Sequence, residues 1–498
     1  MLWTLHDAAT AAQGEIKENS DKTSISNVVH DSRSVKDGSL FITLKGPNHD
    51  AHNFLEEVFA NGAAAALVSK EWWNATGQKD FAAHNFIVVE DTQTGLENLA
   101  TAARERSNAK VVGITGSVGK TSTKEFLHTI LSEQGTCHAN ERSFNNHWGV
   151  PLTLANLPQD ADYAVIEMGI NHIDEMEKLS AQAQPDVALI TNIEPAHIGN
   201  FNSINDIAEE KSKIFMHMQD TITEGGIAIL NADNPYTSLI EKRINDYGMG
   251  QVLTFGEEKT ADARLKDCTL LSDSSKVTAK IRGQKYKYHL PVPGKHFVHN
   301  ALSILLIVSV INGDMDKAIE SMASLTQVEG RGNHIPVHLS GDDDTELTII
   351  DESYNASPVS MNAALKVLEI SEPAAEGRRI VVLGDMLELG AEGPSLHIGL
   401  VNPVLRAKTD LVYACGPLME ALYNIIPPEW QGGYAEDSKI LAKMLVDEVR
   451  PGDVVLVKGS LGSRMAYVVQ ALQNLNTPRG KSGEAANTDT EKASTHAV

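Results

Sequence analysis

The chain has 498 residues, 42% hydrophobic and 22% charged, a composition of an ordinary globular protein with length for roughly three domains. Its formal net charge of −24 excludes nucleic acid and anionic membrane surfaces as general partners, so an anionic ligand needs locally concentrated cations. The cysteines, Cys137, Cys268 and Cys415, are odd in number and far apart, the first seven residues have neither a basic start nor an apolar core, and no run reaches membrane-span length; together these predict reduced thiols and a cytoplasmic protein without membrane insertion.

Residues 1–107 read as a small α/β domain, with short apolar runs at 28–29, 40–44, 64–68 and 86–89 and a helical pattern over 54–60. Three insertions mark it, His30-Asp31-Ser32-Arg33-Ser34-Val35, then Gly38-Ser39-Leu40-Phe41, then a longer one from Lys45 through Asp50-Ala51-His52 to Phe54. By residue type alone, Asp31 and Ser32 make a turn and Arg33 a surface ion pair.

The second domain, residues 108–333, begins with the most informative stretch in the chain. The β-branched run 111–115 predicts a buried strand, Gly116 and Gly119 a tight turn, and the spacing of Phe126, Leu127, Ile130 and Leu131 the inner face of a helix. Strand, glycine turn and helix in that order form a phosphate-binding loop, Gly116-Ser117-Val118-Gly119-Lys120-Thr121-Ser122. Its backbone N–H groups and helix N-terminus meet phosphate oxygens, Lys120 supplies a point charge, and the Thr121 hydroxyl suits Mg²⁺. A nucleoside triphosphate ligand follows. The loop is a short form, because Ile114 stands where the usual pattern begins with glycine. Buried runs at 164–167, 187–192 and 227–231 complete a parallel sheet whose C-terminal strand ends collect the chemistry, and Glu167 lies at one of those ends, where a carboxylate can hold Mg²⁺ opposite Thr121.

The third domain, residues 334–475, repeats the α/β pattern with apolar runs at 380–383, 411–414 and 454–457 and has no phosphate loop. Its opening stretch, 349–358, is too polar to be only a strand. Residues 476–498 are polar and aperiodic, which predicts a disordered tail.

The loop from Thr115 to Thr123 resembles that of the Mur ligase superfamily, which includes the folylpolyglutamate synthases, and further segments resemble it in turn. The Asp-Ser-Arg set and the later Asp50-Ala51-His52 are similar to the family's UDP-sugar-binding domain, with Ala51 in a common glycine position; the resemblance implies that Asp31, Ser32, Arg33 and Asp50 meet uridine diphosphate. Glu167-Met168-Gly169 resembles the metal-binding Glu-x-Gly stretch. In Thr191-Asn192-Ile193-Glu194-Pro195-Ala196-His197, the likeness makes His197 a second-metal ligand. Downstream it makes Lys211 a carbamylated lysine, with Lys213 the alternative; the loop between departs from common versions at 199–202. It also implies that Asn145 and Asn146 face the muramoyl part of the substrate, that Asn300 reads adenine, and that Arg331 approaches the nucleotide.

Asp351-Glu352-Ser353-Tyr354-Asn355-Ala356-Ser357-Pro358 resembles the signature of the branch that attaches D-alanyl-D-alanine, altered at Glu352 and Ser357. Glu352 is expected to meet the ATP ribose or the closing domain, and Tyr354 and Asn355 the substrates. Segments 383–390 and 452–460 match the same branch, so the likeness spans about residues 25–472. It implies ATP and two Mg²⁺ ions as cofactors, UDP-N-acetylmuramoyl-tripeptide and D-alanyl-D-alanine as substrates, an acyl-phosphate route to the new amide in peptidoglycan precursor synthesis, and a monomer. The branch that adds the third amino acid is the alternative; its Asp-Asn-Pro-Arg motif belongs in the last domain, whereas Asp233-Asn234-Pro235-Tyr236 lies in the second and lacks the arginine. A phosphate-loop switch without ligation is the reading from another class.

Overall fold

The computed structural model describes residues 1–17, 23–46, 49–77, 81, 84–195, 198–219, 226–248, 250–339 and 346–476. Their strands form three large sheets and one small antiparallel pair, Trp3–Thr4 with Ser24–Ile25. The architecture is α/β, as the alternation of apolar runs and helical patterns predicts. The first large sheet has five strands, ordered Glu15–Lys17, Phe86–Val89, Ala65–Ser69, Ser39–Ile42 and Asn27–Val29, parallel except at its Glu15–Lys17 edge.

The central sheet has nine strands. Lys110–Thr115 lies between Tyr163–Glu167 on one side and Val187–Ile190 on the other, both parallel to it. The chain leaves this strand toward one edge and returns to the other side, so a topological switch point, where α/β sheets open a crevice, falls at the glycine turn. Alternation along the strand supplies two cores. Val112 and Ile114 pack with Phe126, Leu127, Ile130 and Leu131 and with the buried helix Lys295–Val310; Val111 packs with Ala164, Ile166, Ala188 and Ile190 on the opposite face. Each fully buried aliphatic side chain contributes about 1.5–3 kcal/mol. Beyond Gln251–Gly256 the sheet continues through Ala263–Leu270, Ser275–Ile281 and Gln284–Leu290, the last two pairings antiparallel. Their charged outward positions gave no apolar run to read.

The third large sheet is ordered Asn333–His338, Glu346–Glu352, Val454–Lys458, Arg379–Gly384, Leu411–Cys415 and Gln431–Ala435, antiparallel only in its first pair. The polar stretch at 349–358 thus divides: strand to Glu352, then a turn, then the helix Pro358–Ile370 capped by Ser357. After Arg379–Gly384, Asp385 accepts the Met419 and Leu418 N–H groups and caps a helix where a phosphate loop would bind an anion. Among the described residues no helix is long and apolar enough to cross a membrane. The predicted tail beyond residue 476 lies outside the described residues.

The first and central sheets are joined by directed contacts. Trp3 Nε1 donates to the Ala155 carbonyl at 2.9 Å, Asn156 exchanges two 2.8 Å bonds with the Val28 backbone, and Gln93 donates to the His147 carbonyl. Within the first domain, buried His52 ties strand ends together. Its Nδ1 meets Asp50 Oδ1 at 2.6 Å, Nε2 accepts the Ser69 N–H at 3.2 Å, and its ring stacks on Trp72. That network assigns the neutral ring with its proton on Nδ1. Burial lowers the His52 pKa below 6.5, and the Asp50 contact opposes without reversing it. The folded state therefore holds the proton less well than the unfolded chain, so stability is complete above pH 6.5 and is lost as pH falls from there toward the folded pKa. Thermal unfolding followed across that window should show this loss, and His52→Gln should flatten it; an unchanged pH slope in the variant would reject the assignment.

Candidate active site

The strand Lys110–Thr115 ends in a turn whose glycines are both required. Gly116 has φ +147°, and a Cβ there would lie 2.0 Å from Thr191 Oγ1; Gly119 has φ +85° and caps the helix Lys120–Ser132. The first-turn N–H groups of that helix lack intrahelical acceptors, which leaves a concave anion receptor. Thr191 Oγ1 donates to the Val118 carbonyl at 2.6 Å, Ser117 Oγ donates to the Glu194 carbonyl, and the Glu194 N–H donates back to Ser117 Oγ. The loop is thus fixed from the neighbouring strand end. Lys120 Nζ curls back to the Gly116 carbonyl at 2.8 Å; burial lowers its pKa, Glu167 raises it and Arg331 lowers it further. Asn300 lies against Gly119, with its Nδ2 buried and without a partner.

Glu167, at the end of Tyr163–Glu167, is wholly buried. Its Oε1 accepts Thr121 Oγ1 at 3.1 Å and Asn145 Nδ2 at 2.7 Å, while Oε2 has no hydrogen-bond partner. Gly169 makes the Asn145 contact possible, because a Cβ there would fall 2.5 Å from Asn145 Oδ1. The two asparagines diverge: Asn146 Oδ1 accepts the Trp148 and Gly149 N–H groups and caps the following helix. An orphaned carboxylate oxygen beside a phosphate-loop threonine is a donor set suited to a hard divalent cation.

Lys211 and Lys213 differ sharply. Lys213 pairs with Asp174 at 2.8 Å and Glu210 at 2.7 Å, and these bonds raise its pKa against the cost of burial. Lys211 is 3% exposed and forms no salt bridge among the described residues; burial takes its pKa well below 10.5, aided by the Lys120 charge and opposed by Glu210 and Glu175. His197 lies outside the described residues.

The third sheet meets this site where Tyr354, just beyond the strand Glu346–Glu352, packs on the 330–332 turn. Arg331 lies 4.2 Å above the Tyr354 ring and donates to Ser143 Oγ, which is also 3.3 Å from Thr121 Oγ1. Buried Asp351 holds the turn by accepting the Gly330 N–H. Glu352 pairs with buried Lys458 at 3.0 Å, and Lys458 also donates to the Asn355 carbonyl. On the far side, Gly199 N–H donates to the Glu388 carbonyl at 3.1 Å.

In the first domain Asp31 accepts both Nε and Nη2 of Arg33, at 2.9 and 2.6 Å, the ion pair that residue type alone suggests, with Ser32 opening the short helix Ser32–Ser34. Asp50 caps the next turn and meets His52. The Asp233-Asn234 stretch is a structural turn: Asp233 accepts the Glu257 and Glu258 N–H groups, and Asn234 Nδ2 donates to the Ile193 carbonyl. Ser143, Lys124, Asn140 and Lys458 were not singled out from the sequence. Only Lys458, at a strand end before glycine, carries a local signal that could have marked it.

Two family profiles match the chain: the Mur ligase middle domain over residues 114–308, and the Mur ligase glutamate ligase domain over 339–461. A UDP-N-acetylmuramoyl-tripeptide--D-alanyl-D-alanine ligase from Rickettsia prowazekii is 32% identical over 473 residues, covering 95% of this chain and all of the relative. Among solved structures, MurF from Acinetobacter baumannii superposes with a TM-score of 0.81 at 28% identity, covering 95% of this chain and 99% of that one. MurF ligase from Thermotoga maritima, solved in complex with ADP, gives 0.73 at 27% identity, covering 91% and 98%. With a relative above 30% identity matched along its whole length, and with the phosphate loop, the Glu-x-Gly carboxylate and the third sheet in one chain, this protein belongs to the Mur ligase family.

Proposed function

We propose that the chain joins D-alanyl-D-alanine to UDP-N-acetylmuramoyl-tripeptide, with ATP cleaved to ADP and phosphate. The observation that carries the ligase chemistry is the unpartnered Glu167 Oε2 beside Thr121 at the phosphate loop. The named activity of the matched relatives supplies the two substrates. A peptidoglycan precursor ligase of this kind works as a cytoplasmic monomer in this reading.

A carboxylate is a poor acceptor for an amine because its leaving group would be oxide. ATP transfers its γ-phosphoryl group to the terminal carboxylate of the tripeptide, giving an acyl phosphate and ADP. The amine of the dipeptide attacks the acyl carbon and loses a proton, and phosphate departs as the amide forms. Phosphoryl transfer of this kind is governed by positioning and charge neutralisation. In this reading the first-turn N–H groups and Lys120 hold the phosphates, Asn300, which lies against Gly119, meets the nucleotide, and Arg331 on Tyr354 adds positive charge beside Lys120. Thr121 and Glu167 would hold Mg²⁺, which when bound neutralises phosphate charge. His197 and a carbamylated Lys211 would serve a second ion, since burial lowers the Lys211 pKa and so favours the neutral amine form that takes up CO₂. Asp31, Ser32, Arg33 and Asp50 are assigned to the UDP group, Asn145 and Asn146 to the neighbourhood of the muramoyl group, Glu352 to the nucleotide side of the closing domain, and Tyr354 and Asn355 to the reacting substrates.

Phosphate release from ATP should require both UDP-muramoyl-tripeptide and the dipeptide, with a product heavier by the dipeptide less water. Release indifferent to the dipeptide, or turnover only with a single amino acid, would overturn the assignment. Glu167→Gln keeps the shape of the side chain but weakens an anionic ligand, and should lower kcat about 10²–10³-fold with little change in melting temperature. Labelled bicarbonate should give a carbamate carbon signal in the wild type that is absent in Lys211→Arg and present in Lys213→Arg; loss in the second variant alone would move the site to Lys213.

A further inference from the structure

Lys124, one turn along the phosphate-loop helix, is fully buried, yet it does not face the phosphates. Its ammonium donates to the Asn140 carbonyl at 2.7 Å and the Arg142 carbonyl at 2.9 Å, and it pairs with Glu125. Both carbonyls belong to the segment that returns from the sheet edge to the site. Arg142 has φ +49°, a left-handed conformation costly for a residue with a side chain, so the segment is held in a shape it would not adopt freely.

What that segment carries explains the expense. Asn140 Oδ1 accepts the Glu167 N–H at 2.6 Å, and its Nδ2 donates to the Phe144 carbonyl at 2.6 Å, closing the turn on itself. Ser143 reaches Thr121 and Arg331, and Asn145 reaches Glu167. From the same turn, Phe144 and Trp148 meet His30 of the first domain at ring-centroid distances of 5.9 and 6.4 Å. One short segment therefore touches the Glu167 carboxylate, the Arg331 side chain that lies on Tyr354, and the first domain, and a buried cation pins it to the helix that begins at the phosphate loop.

We propose that Lys124 is a positioning residue for the reaction: by fixing the Asn140 and Arg142 carbonyls it sets Ser143 and Asn145 against Thr121 and Glu167, and so makes the cation site. This rests on the proposed ligase reading of Thr121 and Glu167. A helix lysine serving only the fold would affect melting but not the affinity of a folded protein for metal. Outer groups that orient metal ligands typically change metal affinity about 10–100-fold when removed.

The test uses the full chain with ADP and Mn²⁺, reading bound Mn²⁺ by electron paramagnetic resonance and amide exchange of 140–148 by mass spectrometry. Lys124→Met should weaken Mn²⁺ binding about 10–100-fold, speed exchange of the segment, and leave metal-free ADP affinity within about threefold. Should that variant fail to fold, Asn140→Ala decides, because it keeps the lysine and its carbonyl acceptors while cutting the tie to Glu167; it should shift Mn²⁺ affinity in the same direction. Unchanged Mn²⁺ affinity in a folded Lys124→Met, or in Asn140→Ala, overturns the positioning role. Absence of ADP-dependent Mn²⁺ binding in the wild type would instead overturn the metal reading of Glu167, and is told apart by needing no variant.

Discussion

A carboxylate buried at the end of a parallel strand is costly unless its oxygens are engaged, and Glu167 leaves one of its two unengaged. Much of the central domain is arranged around that deficit. The strand supplies the position, Gly169 clears the space through which Asn145 reaches the paired oxygen, and the phosphate-loop helix brings Thr121 to the same atom. Positive charge then gathers where the net charge of −24 would otherwise repel a nucleotide: Lys120 and Arg331 interact electrostatically across one crevice. Neither forms a salt bridge among the described residues, whereas Lys213 forms two. Such unneutralised charge suits a site built to receive phosphates.

The phosphate loop was legible because everything that defines it is local. Strand, turn and helix follow one another within about twenty residues, and each is dictated by neighbours in sequence. The parallel strands were legible for a related reason: buried on both faces, they read as unbroken apolar runs. The antiparallel extension from Ala263 to Leu290 was not, since its outward positions carry lysine and other polar residues and its inward ones alternate singly. Residues whose importance comes from distant partners were equally hidden. Lys124 looks like any helix lysine until the Asn140 and Arg142 carbonyls arrive from across the sheet edge, and Ser143 becomes notable only when Arg331 is brought from 188 positions further along.

Family likeness carried roles that spacing could not, and the geometry refines some of them. Asn145 and Asn146 are adjacent in sequence but divide their work, one on Glu167 and the other on a helix cap, because successive residues in a turn point apart. Arg33 is engaged by Asp31, so a phosphate arriving there would have to share the guanidinium with a carboxylate already bound at two points. Glu352 is likewise committed to Lys458, a pairing that joins two adjacent strand ends and places the pair beside the 330–332 turn.

The order of strands in the third sheet indicates how the domains enclose the site. Glu346–Glu352 leads to the turn where Tyr354 lies under Arg331, and Arg379–Gly384 leads to the loop whose Glu388 carbonyl accepts the Gly199 N–H. Val454–Lys458 lies between those two strands, so its following loop, which starts at Gly459, faces the gap that the two flanking contacts span. One flank carries Arg331 on the Tyr354 ring, and the other joins the Gly199 N–H to the Glu388 carbonyl with Ile198 packed against the third sheet's core. The packed central sheet holds Glu167 and the phosphate loop in register. Apolar packing also crosses between sheets, since Leu152 and Ala155 sit in the core of the first sheet and Ile198 on that of the third, so the crevice is fixed by its surroundings as well as by its own strands.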